Sequence, residues 1–386
     1  MFSQNIVSRF QGLETPFYYY DLALLDRTLL ACKSAAEKYG FHIHYALKAN
    51  FNEPILRTIE QKGFGADCVS GNEVKKAIEI GFDPNQVVFA GVGKSDKEIL
   101  EALALDISCF NVESLQELEV INVLAGQKNQ RARVAIRINP NVDADTHKNI
   151  TTGLDENKFG INQWELDDCV NMLRKLQYVT FVGIHFHIGS QITHLEVFKD
   201  LCVKINEIHR WFDKKGFPPK VLNVGGGLGV NYDHPGDEPI PNFDEYFQLF
   251  DRYLERKSGQ AIHFELGRSL VAQCGYLISR VLYIKNGQKK NFIILDAGMT
   301  ELIRPALYQA YHQIENITKS GVGGLGMVNY DVVGPICEST DRFAENLSLP
   351  RSDRGDLIVI RTAGAYGQVL ASSYNLRDRV RAIYSD

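Results

Sequence analysis

The chain has 386 residues, 45% hydrophobic and 23% charged, a size and balance that fit a globular enzyme with one large domain and one smaller one. A formal net charge of −5 argues against a nucleic-acid or anionic-membrane partner. No apolar run is long enough to cross a bilayer, and the opening MFSQNIVSRF lacks the apolar stretch of a signal peptide. The seven cysteines contain no C-x-x-C pair, which fits reduced thiols and a cytoplasmic protein.

The first strand signal is 15–20, with three consecutive tyrosines. From about residue 25 to 270, short apolar runs alternate with longer amphipathic ones. Strands are expected at 43–47, 65–69, 87–90, 107–111, 134–138, 181–187, 221–224 and 262–266. Helices are expected at 53–62, 72–80, 96–105, 113–124, 163–176, 195–215 and 243–256. The alternation suits either a doubly wound sheet or a (β/α)8 TIM barrel. The strand ends favour the barrel, for they read Lys48, Asp67, Gly91, Asn111, Arg137, His187, Gly225 and Glu265, polar residues or glycines that only a barrel gathers on one face.

Beyond about residue 272 the texture turns β-rich. Runs at 276–285 and 291–296 flank an Asn286-Gly287 turn, and 331–333 and 357–360 read as further strands. The glycine-rich run 321–326 reads as a mobile loop. The expected division is a barrel over 25–272 and a second, β-rich, barrel-like domain from 1–24 plus 273–386.

Lys48 ends the first barrel strand, in YALKAN. It is either an ordinary surface lysine or a partly desolvated amine able to condense with a carbonyl. Gly225, Gly226 and Gly227 open a GGGLG run where barrels commonly bind phosphate. A plain tight turn is the rival reading, and a dinucleotide fingerprint is disfavoured by the run's late position. Glu265 and Arg268, in ELGR, either pair with each other or serve a cationic ring nitrogen and an anion respectively. His185 and His187 share a strand face, but no third ligand with suitable spacing accompanies them, so no metal is expected. Cys337, beside Gly334-Pro335, reads as exposed and reactive, unlike the six cysteines in apolar runs.

Together the motifs YALKAN, HIGSQ, GGGLG, ELGR, RPALY, GPICES and GAYG, in this order from residue 44 to about 370, resemble the fold-type III pyridoxal-phosphate amino-acid decarboxylases. One departure is Leu266, where the family usually carries proline between the glutamate and the glycine. The resemblance implies pyridoxal 5'-phosphate as cofactor, with Lys48 bonding its aldehyde, His187 stacking on its ring and Glu265 holding the ring-nitrogen proton. Asp67, Ser190, Gly225, Gly226, Gly227, Gly267, Arg268 and Tyr366 complete the implied cofactor set. Arg268, Arg304, Tyr308, Glu338 and Tyr366 are the implied substrate contacts. Cys337 is implied to be the proton donor, reaching across from a partner subunit in a homodimer with shared active sites.

The implied substrate is meso-2,6-diaminoheptanedioate, whose distal carboxylate suits Arg304, Arg268 and Tyr308 and whose distal ammonium suits Glu338. The implied products are L-lysine and carbon dioxide, the last step of lysine biosynthesis. Ornithine, arginine and carboxynorspermidine are the alternative substrates within the family. A non-catalytic cofactor-binding paralogue would have lost Lys48 or Cys337, and this chain keeps both.

Overall fold

The computed structural model describes residues 2–142, 158–322 and 324–385. They form two compact units, one comprising Arg27–Gly229 and Pro241–Leu270, the other Met1–Asp26, Val230–Ile240 and Val271–Asp386. The segment Val230–Ile240, inside the span expected for the barrel, clusters with the β-rich unit. Gly323, within the glycine-rich run expected as a loop, lies outside the described residues. Among the described residues no helix is long and apolar enough to cross a membrane.

Strand β1 (Phe17–Tyr20) belongs to the β-rich unit. The barrel strands follow in chain order: β2 (His42–Ala46), β3 (Gly65–Cys68), β4 (Val87–Phe89) and β5 (Cys109–Val112), then β6 (Ala132–Arg137), β7 (Val179–His185), β8 (Val221–Asn223) and β9 (Ala261–Leu266). Each pairs in parallel with the next, and β9 closes onto β2 from His42↔His263 to Tyr45↔Leu266. This is the expected eight-stranded barrel. Because all eight strands are parallel, their C-terminal ends form one rim.

Three crossover helices begin on the same local chemistry. Ser70, Ser95 and Ser114 each cap a helix by accepting from the backbone N–H three residues on, at Glu73, Glu98 and Glu117. The three glutamates reach back in turn, to the N–H groups of Val69, Ser95 and Glu113. The cap at Ser114 corrects one expected boundary, since the helix is Leu115–Gln127 and Glu113 stands outside it. Likewise 163–176 resolves into a short turn at Gln163–Glu165 and a helix at Leu166–Leu173.

In the β-rich unit, β10 (Gly275–Asn286) and β11 (Asn291–Leu295) form the antiparallel hairpin expected at Asn286-Gly287. With β12 (Ile314–Asn316), β13 (Met327–Val333), β14 (Arg342–Pro350) and β15 (Leu357–Ile360) they make a sheet ordered β12-β15-β10-β11-β13-β14. β1 pairs antiparallel with β10 and parallel with β16 (Arg381–Tyr384), joining the chain's two ends. Phe17 and Tyr19 on β1 pack with Val7, Phe10, Ile278, Ile317, Leu357 and Val359, the apolar contact that holds this edge.

Candidate active site

The barrel rim gathers what the strand ends carry. β2 ends on Ala46 and passes into a tight turn, Leu47–Ala49, with Leu47 and Ala49 buried and the Lys48 side chain 36% exposed. The Tyr45 hydroxyl braces this turn by donating to Asn50 O at 2.8 Å. Lys48 Nζ lies 3.6 Å from Asp67 Oδ2, at the end of the neighbouring strand β3. Asp67 is buried, and neither carboxylate oxygen has a hydrogen-bond partner. Burial, then the charge of Glu265, push its carboxyl up to about 8, against the opposing pull of Lys48.

Glu265, on β9, has the opposite environment. Its Oε1 accepts from Asn111 Nδ2 at 3.1 Å and Asn223 Nδ2 at 2.8 Å, and its Oε2 meets His185 Nε2 at 2.9 Å. Burial alone would raise its carboxyl, but His185, Lys48 and His187 together hold it well below the usual range. Glu265 is therefore a buried carboxylate kept ionised, its oxygens met by side chains from three other strands of the barrel, β5, β7 and β8.

His187 follows β7. The Gly226 N–H donates to its Nδ1 at 3.3 Å, so the ring's own proton sits on Nε2. Burial and the charges of Lys48 and Arg137 hold this imidazole well below its usual range, that is, neutral. The glycine run packs backbone to backbone. A Cβ on Gly226 would fall 1.9 Å from Glu265 O, and one on Gly225 2.2 Å from Phe186 O. The Gly225 N–H is taken by Asn223 Oδ1 at 3.0 Å. Across the same rim, Ser190 Oγ accepts from Arg268 at 2.9 Å through Nη2 and 3.3 Å through Nε. Gly267 packs 3.1–3.2 Å (as its would-be Cβ) from Ala49 and Ala46, so the β9 end presses on the Lys48 turn.

Four rim residues lay beyond the sequence reading as functional partners: His185, Asn223, Glu113 and Lys94. Glu113 binds Arg137 Nη1 at 2.7 Å and the N–H groups of Gly91 and Gly160 at 3.0 Å. Lys94 Nζ is buried on Glu117 and on the carbonyls of Gly91 and Asn111. The usable signal was polar residues within otherwise apolar strands, as in His185 and Asn223, since a buried polar group must find a partner.

The β-rich unit carries the other named residues. Arg304 opens a short helix, Arg304–Tyr308, and is itself buried. Its Nη1 donates to His312 Nε2 at 2.7 Å, its guanidinium lies 4.5 Å above the Tyr232 ring, and His312 Nδ1 in turn meets Arg361 O at 2.8 Å. The guanidinium is thus preset by an aromatic face and a neutral imidazole. Tyr366 adopts a left-handed backbone, φ 54°, in Gly364–Gly367. For a bulky residue that is a strained conformation, and it is held by the tight packing of Gly364 against Val271 and Gly275. Cys337 is exposed whereas the other six cysteines are buried, and Glu338 beside it is exposed too.

A parallel barrel whose rim carries a lysine, an ionised buried carboxylate and a glycine cradle defines a class of enzyme. The chain belongs to the pyridoxal-dependent decarboxylases, whose pyridoxal-binding-domain model matches residues 25–272. It is 51% identical over 98% of its length to the diaminopimelate decarboxylase of Bacteroides thetaiotaomicron, covering 98% of that protein. It is 42% identical over 97% of its length to that of Helicobacter pylori, covering 91% of it. The crystal structure of the Helicobacter pylori enzyme complexed with L-lysine superposes with a TM-score of 0.91, at 41% identity, over 98% of this chain and 93% of that one.

The cofactor is pyridoxal 5'-phosphate, and the residues present fit it. An ionised Glu265 suits a protonated ring nitrogen, and a hydroxyl and a guanidinium, Ser190 and Arg268, suit a phosphate. The Asp67 oxygens, buried without hydrogen bonds 3.6 Å from Lys48 Nζ, are orphaned acceptors that suit a site built to hold a polar group.

Proposed function

We infer that this chain decarboxylates meso-2,6-diaminoheptanedioate to L-lysine and carbon dioxide, the last step of L-lysine biosynthesis. The observation that carries the reading is the ionised Glu265 sharing one barrel rim with Lys48. Pyridoxal phosphate, when bound, supplies a conjugated sink for the electron pair that departing carbon dioxide leaves on the substrate's α-carbon.

The chain's own residues do the rest. Lys48 would bond the aldehyde carbon, and the Asp67 carboxyl 3.6 Å away would exchange a proton with its amine. Glu265, supported by His185, Asn111 and Asn223, keeps a proton on the ring nitrogen. His187, neutral and fixed by Gly226, stacks on the ring. Ser190, Arg268, Gly267 and Gly227 hold the phosphate. Gly225 and Gly226 shape that cradle, their N–H groups being engaged by Asn223 and His187. Arg304, Tyr308 and Arg268 bind the distal carboxylate and Glu338 the distal ammonium, with Tyr366 between cofactor and substrate. Cys337 returns a proton to the α-carbon, the C–H bond forming as the S–H bond breaks.

A homodimer with shared sites belongs to the same reading. It is supported by the exposure of Cys337 and Glu338 beside large apolar side chains, among them Leu376 at 97% exposure and Tyr374. A cytoplasmic location is supported by seven free cysteines and the absence of any disulfide among the described residues.

Carbon dioxide release measured side by side on diaminoheptanedioate, ornithine, arginine and lysine tests the substrate. Release only from the first is expected. Preference for a substrate lacking the distal carboxylate would overturn the role of Arg304.

A further inference from the structure

The Cys337 loop is held by a segment that the reaction scheme above leaves unused. Asn375 Oδ1 accepts from the Cys337 N–H at 3.5 Å and lies 3.4 Å from its Sγ, while Asn375 Nδ2 lies at 3.4 Å from the same sulfur. One residue earlier, the Tyr374 hydroxyl donates to Glu338 Oε1 at 2.8 Å. That bond and the neighbouring charge push the phenol up to about 12, so it remains a donor throughout the working pH range. Two adjacent residues therefore grip the two adjacent residues assigned to proton return and ammonium binding.

Both partners of this grip hang from one turn. Asp341 accepts from Ile336 N–H at 2.7 Å and from Met299 N–H at 2.6 Å, tying the Cys337 loop to the turn after β11. The Ser372 N–H donates to Thr300 O at 3.0 Å and Arg377 Nη2 to Asp296 O at 2.6 Å, tying the other segment to that turn on both sides. Between those anchors the backbone is bent: Asn375 and Leu376 are both left-handed, at φ 56° and 55°. Asparagine tolerates that conformation and leucine does not, so the bend is imposed by its surroundings.

We propose that Tyr374 and Asn375 are positioning residues, Asn375 aiming the Cys337 thiol and Tyr374 the Glu338 carboxylate. The proposal rests on the roles given to Cys337 and Glu338 above. An amide suits the thiol in both its states. The carbonyl accepts S–H before the proton leaves, and the N–H donates to the thiolate afterwards.

The test uses the holoenzyme and five variants, one of them a double substitution. Asn375→Gly keeps the left-handed backbone while deleting the amide. It should lower kcat about tenfold or more with KM nearly unchanged, as misaimed groups do. In a Cys337→Ala background the same substitution should add almost nothing. Asn375→Asp, isosteric but anionic, should move the alkaline limb of the kcat–pH profile upward, since a carboxylate beside the sulfur opposes thiolate. Tyr374→Phe should raise KM for diaminoheptanedioate severalfold and spare kcat. An unchanged kcat in Asn375→Gly, or an equal loss with and without Cys337, overturns the role of Asn375. An unchanged KM in Tyr374→Phe overturns that of Tyr374. If Cys337→Ala alone leaves turnover intact, the underlying assignment of Cys337 has failed instead.

Discussion

At the scale of single residues, Asp67 and Glu265 are two buried carboxylates with opposite fates. Asp67 has no hydrogen bond and is pushed up to about 8, whereas Glu265 has three and is held ionised. Lys48→Ala should abolish the fixation of cofactor absorbance to the chain by borohydride, read on the denatured protein. Glu265→Gln retains the shape but removes the charge, and His185→Phe removes the partner that keeps the charge in place. A loss in kcat of about a hundredfold is expected for the first, in line with other preorganised electrostatic contacts. A smaller loss in the same direction is expected for the second, and a wild-type rate in Glu265→Gln would remove the ring-nitrogen role. The candidate residues themselves were named from motif and strand end. Their partners His185 and Asn223 were not, because which polar side chain meets which depends on barrel strands some 40 to 150 positions apart in the chain.

At the scale of elements, the barrel carries titratable groups at both ends. At the N-terminal ends of β2 and β9, His44 Nε2 lies 3.0 Å from His263 Nδ1, and the rings of His42 and His263 are 5.2 Å apart. Burial holds all three below the usual imidazole range, His44 at about 4, with Arg256 adding to the effect on His42 and Glu265 opposing it at His44 and His263. The unfolded chain binds protons at these sites below about pH 6.5 while the folded chain refuses them, so their contribution to stability is lost as pH falls from there towards about 4. Asp67 acts in the opposite sense, because its raised carboxyl favours the folded state increasingly as pH falls from about 8 towards 4. Comparing the thermal midpoint of wild type with His44→Gln across this range isolates the histidine, and the variant's curve should be the flatter on the acid side. The serine caps make a second element-level prediction. Ser114→Ala should cost about 1 kcal/mol in urea unfolding and shift Glu113 on Arg137. Most strand and helix positions between residues 43 and 266 followed from periodicity, but the helices Gln4–Gln11 and Leu22–Glu37 were not expected. Boundaries were not read where a cap decided them, and β12, β14 and β16 were missed because a three-residue strand or an edge with mixed polarity carries little alternation.

At the scale of the whole molecule, the residues proposed for the chemistry are divided between two units, Lys48 and Glu265 in one and Cys337 and Glu338 in the other. If sites are shared between subunits, mixing inactive Lys48→Ala and strongly slowed Cys337→Ala homodimers under exchange conditions should restore roughly a quarter of wild-type activity, since half the dimers then hold one intact site. No recovery would refute sharing. The amino-acid sequence alone determined the barrel, through eight apolar runs with polar ends, and the catalytic candidates, through motifs whose residue types suit one chemistry. Those are local properties: a strand's period and a side chain's functional group do not wait for folding. Only the tertiary structure decided the charge states and the aim of those groups. The same carboxyl is raised at Asp67 and depressed at Glu265 because burial and the nearest cation, not residue type, set the balance. Likewise, the pairing of Cys337 with Asn375 depends on a bent backbone that no periodicity records.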